Sequence, residues 1–391
     1  MRAVDLQTAG WWAACAAARL ALLWVPGHPT DLATFHAWAL QLAAHGPWRF
    51  YAGAGFVDYL PGYLVLLWPV GYVAGSYPQL AHVLLKALPA LADFAVASLL
   101  VRLGGRAAGV AYLANPATLV VGAWWGQVES VAAAAFLACA WAWVRGRDAW
   151  SGVLFGLGVL TKPQYAPAAA VLVWGLGGLR RDRVTWALAG CGAVVALGSV
   201  LFATSAWQLA RLLRSASATY PYGSVNALNV WYLAGLNWKP DATRVLGLPA
   251  HVWGLVLVAA YTAWVVRQAA GRKEVPLAAL AASAASLGLF VFATRMHERY
   301  LFFALPLALL AWAGGRLPGS LCAALSMAAV ANLLFGLAYL AHFPQYPGPW
   351  TAFAAYLRPP VPEAAAVLDL VLVAWKAWLV HWAARGATLE P

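Results

Sequence analysis

Apolar residues in this chain do not alternate with polar ones; they gather into long runs that cross about 30 Å of hydrocarbon as helices. The runs cover 7–26, 60–76, 79–101, 128–144, 150–162, 163–179, 184–203, 249–266, 276–293, 300–313, 318–341 and 363–384. Several are short enough to need tilt or burial among other helices. The pattern predicts an all-α polytopic integral membrane protein of about twelve or thirteen membrane-spanning helices. No Ser/Gly linker or charged tail sets off a soluble part, so residues 1–391 read as one membrane domain.

Three stretches depart from the pattern. In residues 27–59, the first long loop, Leu32, Phe35, Ala39 and Leu42 recur at helical spacing near Trp38, which predicts a short amphipathic helix in the membrane interface, ended by Gly46-Pro47. Residues 107–122 are apolar enough to span, yet counting them as a span breaks the charge alternation around them. They are expected to form a re-entrant or broken segment hinged at Asn115-Pro116, which requires a protein-lined cavity. Residues 204–248 form a second long loop with an aromatic stretch from Tyr220 to Trp238.

Composition agrees with the pattern. Of 391 residues, 63% are hydrophobic and 10% charged, with a mean hydropathy of +0.71; soluble proteins carry about 25% charged residues. The net charge of +12 does not point to nucleic acid. Its Arg and Lys residues cluster between apolar runs, at Arg145/Arg147, Arg180/Arg181/Arg183, Arg267/Arg272/Lys273, Arg316 and Arg385, and the clusters alternate correctly if all are cytoplasmic. Lys162, residues 204–248, Arg295–Tyr300 and 342–362 then lie on the opposite side. The first apolar run lacks a small-residue cleavage site and is expected to remain as an anchor. Cys15, Cys139, Cys191 and Cys322 all sit inside apolar runs and read as small core hydrophobes.

Acidic residues are scarce, which narrows the search for chemistry. Of 13, most lie at termini, among the basic clusters, in the last apolar run or, like Asp241, after a proline in a loop. Asp31, Asp58, Asp93, Glu129 and Glu298 remain, in or beside apolar runs where an ionisable group is costly. Asp31 fits two readings: a charge favoured at a helix start, or a general base at the bilayer surface. Asp58-Tyr59 precedes Pro61-Gly62 and reads as a turn or as part of a site. Trp125, Gln127 and Glu129 place an indole, an amide and a carboxylate at a membrane boundary, more than an aromatic belt requires. Lys86 and Asp93 share a helix face and fit a buried charge network as well as function. Lys162, before Pro163 and Gln164, interrupts a long apolar stretch and either snorkels or holds an anion. In Arg295-Met296-His297-Glu298-Arg299-Tyr300, polar groups crowd between two apolar runs. A bound phosphate would balance Arg295, His297 and Arg299; otherwise Glu298 neutralises the loop itself.

Taken in order, Asp31, Asp58-Tyr59-Leu60-Pro61-Gly62, Lys86 and Asp93, Asn115-Pro116-Ala117, Trp125 to Ser130, Lys162-Pro163-Gln164 and Arg295 to Tyr300 resemble the GT-C glycosyltransferases. More narrowly, the resemblance is to mannosyltransferase-like membrane proteins related to the GPI mannosyltransferases, with lipid-linked-oligosaccharide glucosyltransferases more distant. It implies a polyprenyl-phosphate sugar donor, inversion at the anomeric carbon, and an acidic first-loop residue, matched by Asp31, acting as base on the acceptor. The relatives carry Asp where this chain has Glu129. The expected enzyme is a hexosyltransferase, mannose favoured, with its active site on the extracytoplasmic face of the cell membrane. Its expected partners are the donor, membrane lipids and an acceptor that is glycan, lipid or protein. No Asp-x-Asp pair occurs, so neither metal nor cofactor is expected. The competing expectation is a lipid or sugar transporter, since broken helices and intramembrane charges serve transport too; no internal repeat supports it.

Overall fold

The computed structural model describes residues 3–177, 180–270, 273–346 and 348–383. Of the predicted basic clusters, Arg272 and Arg385 lie outside these residues. The chain packs as two compact units, Met1–Ala169 with Leu179–Ala218, and Ala170–Gly178 with Thr219–Pro391.

Unit 1 carries α1 (Ala3–Leu23), α2 (Pro29–His45), α3 (Pro47–Gly53), α4 (Pro61–Ser76), α5 (Ala81–Gly104), α6 (Arg106–Leu113) and α7 (Pro116–Thr118), which runs on as a π-helix over Leu119–Trp125. After α8 (Glu129–Val144), α9 (Asp148–Thr161) and α10 (Ala166–Gly177), which falls across the division, come α11 (Arg181–Leu201) and α12 (Ala206–Ala218). Unit 2 adds α13 (Val230–Leu233), α14 (Ala250–Ala269), α15 (Val275–Phe292), α16 (Ala304–Ala313), α17 (Gly319–Tyr339) and α18 (Val361–Ala383). Its only strands among the described residues are two-residue pairs. β1 (Ser224–Val225) runs parallel to β4 (Met296–His297), and β2 (Arg244–Val245) antiparallel to β3 (Leu248–Pro249).

Among the described residues, six helical stretches are long and apolar enough to cross a membrane: Pro78–Gly104, Arg181–Leu201, Ala250–Ala269, Val275–Phe292, Gly319–His342 and Val361–Ala383. The pair α6 and Pro116–Trp125, bent by 52°, makes a seventh if taken as one broken span. The break falls at Asn115-Pro116, as expected: the proline cannot continue the helix, and the Asn115 side chain accepts from Ala117 N at 2.9 Å to start the next one. The runs at 128–144, 150–162, 163–179 and 300–313 become shorter helices. α9 has 14 residues, about 21 Å of helix, because Pro163 stops it. α16 is buried from Ala304 to Ala311, so neighbouring protein rather than lipid surrounds it. On α11, Trp186, Leu188, Leu197 and Val200 are instead 62–78% exposed, a surface suited to lipid.

The predicted apolar stripe of the first loop is present on α2, but it serves a different purpose. Leu32, Phe35, Trp38, Ala39 and Leu42 are buried in a protein core with Tyr63, Leu64 and Leu67 of α4. A stripe of this width packs as well against a helix as against acyl chains, and here α4 takes it. α2 ends at Gly46, at φ +74°, a conformation that glycine adopts without strain. Burial pushes the Tyr51 hydroxyl pKa up, so it stays a donor to the Tyr59 carbonyl at 3.1 Å. Close approach of α2 and α4 depends on Gly71, where a Cβ would fall 1.9 Å from the Ala39 carbonyl oxygen. Gly71→Ala is therefore expected to destabilise unit 1 by about 1–3 kcal/mol, read as a lower melting temperature of the detergent-solubilised chain. Gly75→Ala, whose Cβ would meet only Leu40 at 3.7 Å, serves as control. Equal melting temperatures for the two variants would refute this packing.

Candidate active site

Asp31 lies in the first turn of α2. Pro29 opens the helix and the His28 ring accepts from Asp31 N at 3.4 Å as its cap. The carboxylate, 23% exposed, does more than complement the helix dipole. Its Oδ2 accepts from Trp125 Nε1 at 2.7 Å and from Gln127 Nε2. Two residues 94 and 96 positions further along the chain thus meet Asp31 at one oxygen. His28 completes the group: its ring stacks on Trp125 at 4.6 Å and 1°, and its Nδ1 lies 3.4 Å from Asp31 Oδ2. Sequence reasoning missed His28. The available signal was His28-Pro29-Thr30-Asp31, a side-chain cap just ahead of the helix start that places the acid.

The segment that reaches Asp31 is shaped by backbone chemistry. A π-helix commonly marks a functional site, and this one ends at Gly126 with φ +91°, where a Cβ would also press on Leu32 and Lys86. The stretch after α1 is stitched to it: His28 N donates to the Trp125 carbonyl at 3.2 Å, and Trp124 Nε1 to the Pro26 carbonyl at 3.0 Å. Lys86 is fully buried and donates to the carbonyls of Leu22, Leu23 and Val25, capping the C-terminal end of α1. Lys86 and Asp93 therefore belong to separate bonds rather than to a mutual pair.

Two residues past Gln127, the buried Glu129 forms an ion pair with Lys162, which sits at the break between α9 and α10. Pro163 ends α9 and so places the ammonium at a helix terminus. Asp31, Trp125, Gln127, Glu129 and Lys162 are thereby joined through residues 125–129. Asp58 is half-buried in the extended stretch before α4, Tyr59 packs its ring on Phe35 and Trp38, and Gln164 is half-buried beside Lys162. Tyr59 is thus part of the aromatic core under α2.

Unit 2 holds the second predicted cluster. Arg295 Nε donates to Asp241 Oδ2 at 2.6 Å, and Arg299 Nη1 to Glu298 Oε1 at 2.7 Å. The two cations have carboxylate counter-charges within the protein, so charge balance alone does not call for a phosphate. His297 is buried edge-on to Tyr220 at 5.0 Å and 5.1 Å from Tyr300, in the strand paired with β1. Arg295 has φ +64°, an uncommon backbone for a non-glycine residue. It is held by the Asp241 contact and by its N–H on the Tyr222 carbonyl at 2.9 Å. Asp241, 3% exposed, is the carboxylate partner of Arg295 that its loop position concealed. It is the only acid in residues 204–248, a signal that burial gives meaning to.

The Glu129–Lys162 pair makes a measurable demand. Lys162→Met is expected to lower stability by about 3–5 kcal/mol, because a buried carboxylate loses its cation. Adding Glu129→Gln to the same chain should recover most of that loss in denaturant unfolding in micelles. A single variant as stable as the wild type would show that the pair is not formed.

Comparison with known proteins follows this geometry. No curated protein matches the chain. Residues 56–294 match glycosyltransferase family 87, a stretch that contains Trp125, Gln127, Glu129 and Lys162, begins after Asp31 and stops one residue before Arg295. That match covers more than half of the chain, and with its apolar helices it makes this a multi-pass membrane protein of the GT-C-like class: the chain belongs to glycosyltransferase family 87.

Proposed function

We propose that this glycosyltransferase moves a hexose, mannose favoured, from a polyprenyl-phosphate sugar to an acceptor hydroxyl on the extracytoplasmic side of the membrane. The observation that carries the reading is the convergence of Trp125 and Gln127 on the Asp31 carboxylate, partly exposed at a helix start. An anchored carboxylate is the group an acceptor hydroxyl needs as base. The indole and amide fix its direction, and orientation of this kind is a large share of catalytic advantage.

In the proposed step, Asp31 takes the acceptor proton as the acceptor oxygen bonds to the anomeric carbon. The bond from that carbon to the phosphate oxygen breaks on the far side, with inversion, and its electron pair leaves with polyprenyl phosphate. Lys162, oriented by Glu129, is the unit 1 cation proposed to meet the phosphate. In unit 2, Arg295, His297 and Arg299 are proposed as an anion-binding group in their own right, with Glu298 and Asp241 orienting the two guanidinium groups. A phosphate clamped by cations departs without a metal.

The test is transfer from radiolabelled polyprenyl-phosphate mannose and glucose in membranes, with wild type and Asp31→Asn, each with and without EDTA. Asp31→Asn should lower transfer by about 100-fold or more, and EDTA should leave the wild type unchanged. Full activity in the variant would remove Asp31 as base; loss with EDTA would remove the metal-free step.

A further inference from the structure

The buried pair Arg19–Asp93 lies away from Asp31 in the sequence and plays no part in the proposed step. Both side chains are almost wholly buried, 2% and 0% exposed, and Arg19 Nε donates to Asp93 Oδ2 at 2.8 Å. Apart from an Arg19 Nη1 bond to the Cys15 carbonyl on its own helix at 3.3 Å, their remaining bonds go to residues 112–130. Arg19 Nη2 donates to Thr118 Oγ1 at 3.1 Å and Nη1 to the Leu113 carbonyl at 2.9 Å. Ser130 Oγ and Tyr112 Oη both donate to Asp93 Oδ1. Thr118 and Ser130 bracket the π-helix and the turn that present Trp125 and Gln127. Between them, Gly122 passes so close that a Cβ would sit 3.1 Å from Asp93 Oδ2.

We propose that Arg19 and Asp93 are positioning residues, which pin both ends of residues 118–130 and so set the register in which Trp125 and Gln127 hold Asp31. The inference rests on the reading of Asp31 as base. A π-helix and a proline break lack the regular ladder that fixes an α-helix, so the segment needs an outside reference. An ion pair with hydrogen bonds on both members supplies one whose geometry is specific. α1 provides the arginine and α5 the aspartate, so two helices together hold the break.

Ser130→Ala removes the bond to Asp93, and Thr118→Val removes the Arg19 contact together with the bonds that Thr118 Oγ1 donates to the Tyr112 and Asn115 carbonyls. Both leave the ion pair in place, which avoids the folding failure expected of Asp93→Ala. The full chain in lipid nanodiscs is measured in three ways: melting temperature, amide hydrogen exchange at residues 123–128, and transfer from polyprenyl-phosphate mannose beside Asp31→Asn. Each tether variant is expected to keep a single cooperative melting transition, lowered only modestly by the lost buried bonds, to exchange about 10-fold faster at 123–128 with α4 unchanged, and to lose about 10- to 100-fold in kcat with little change in KM. Unchanged exchange and kcat in both variants, with Asp31→Asn inactive, overturns this inference and leaves the base assignment standing. An active Asp31→Asn overturns the base assignment and this inference with it. The exchange result needs no donor: unchanged exchange at 123–128 alone overturns the pinning.

Discussion

An ionised carboxylate inside hydrocarbon is costly unless several donors surround it, and Asp93 has Arg19, Tyr112 and Ser130. That constraint organises unit 1. It draws α1 against α5, fastens the broken helix at Tyr112 and Thr118, and sets where α8 begins. Lys86 answers a related need two turns earlier on α5. It caps carbonyls at the end of α1 and thereby fixes the start of the stretch that leads to His28 and Asp31. Two buried charges on one helix face thus do different work, one on a helix break and one on a helix end.

The candidate site is assembled almost entirely from helix termini. Asp31 stands in the first turn of α2, Glu129 opens α8, Lys162 closes α9, and Trp125 and Gln127 flank the left-handed Gly126. Termini carry backbone groups with no partner inside the helix, so side chains there gain bonds that a helix interior does not offer. Unit 2 follows the same economy. Asn229 caps α13 and donates to the carbonyls that end α15, while Asn332 on α17 accepts from Leu228 N and donates to Asp369 on α18. The loop that pairs with Met296–His297 is thereby tied to three helices of its own unit.

Much of this was legible in the sequence. The apolar runs gave the membrane class, and Leu32, Phe35, Ala39 and Leu42 gave α2. Asn115-Pro116 gave the hinge, because proline and an Asx cap act within a few residues. The scarcity of acids singled out Asp31 and Glu129. What stayed hidden depends on contacts remote in sequence. Nothing near Lys162 shows that its partner is Glu129, and nothing near Arg295 shows that Asp241 comes to it. Nothing near Arg19 in the sequence points to Asp93, and only its burial against that carboxylate gives it a purpose. The stripe on α2 was read for lipid because periodicity reports that a face is buried without saying what buries it. Likewise the count of apolar runs exceeded the helices long enough to span, since a run of apolar residues does not show where Pro163 will stop a helix.

Within the family, Asp31 as the acid that meets the acceptor is most directly tested by cryo-electron microscopy of the full chain in nanodiscs, with a phosphonate analogue of polyprenyl-phosphate mannose that cannot transfer its sugar. The sugar ring is predicted to lie beside Trp125 and Gln127, with the phosphonate at Lys162 and space for an acceptor hydroxyl at Asp31. A sugar ring bound out of reach of Asp31, with Trp125 and Gln127 untouched, would contradict it.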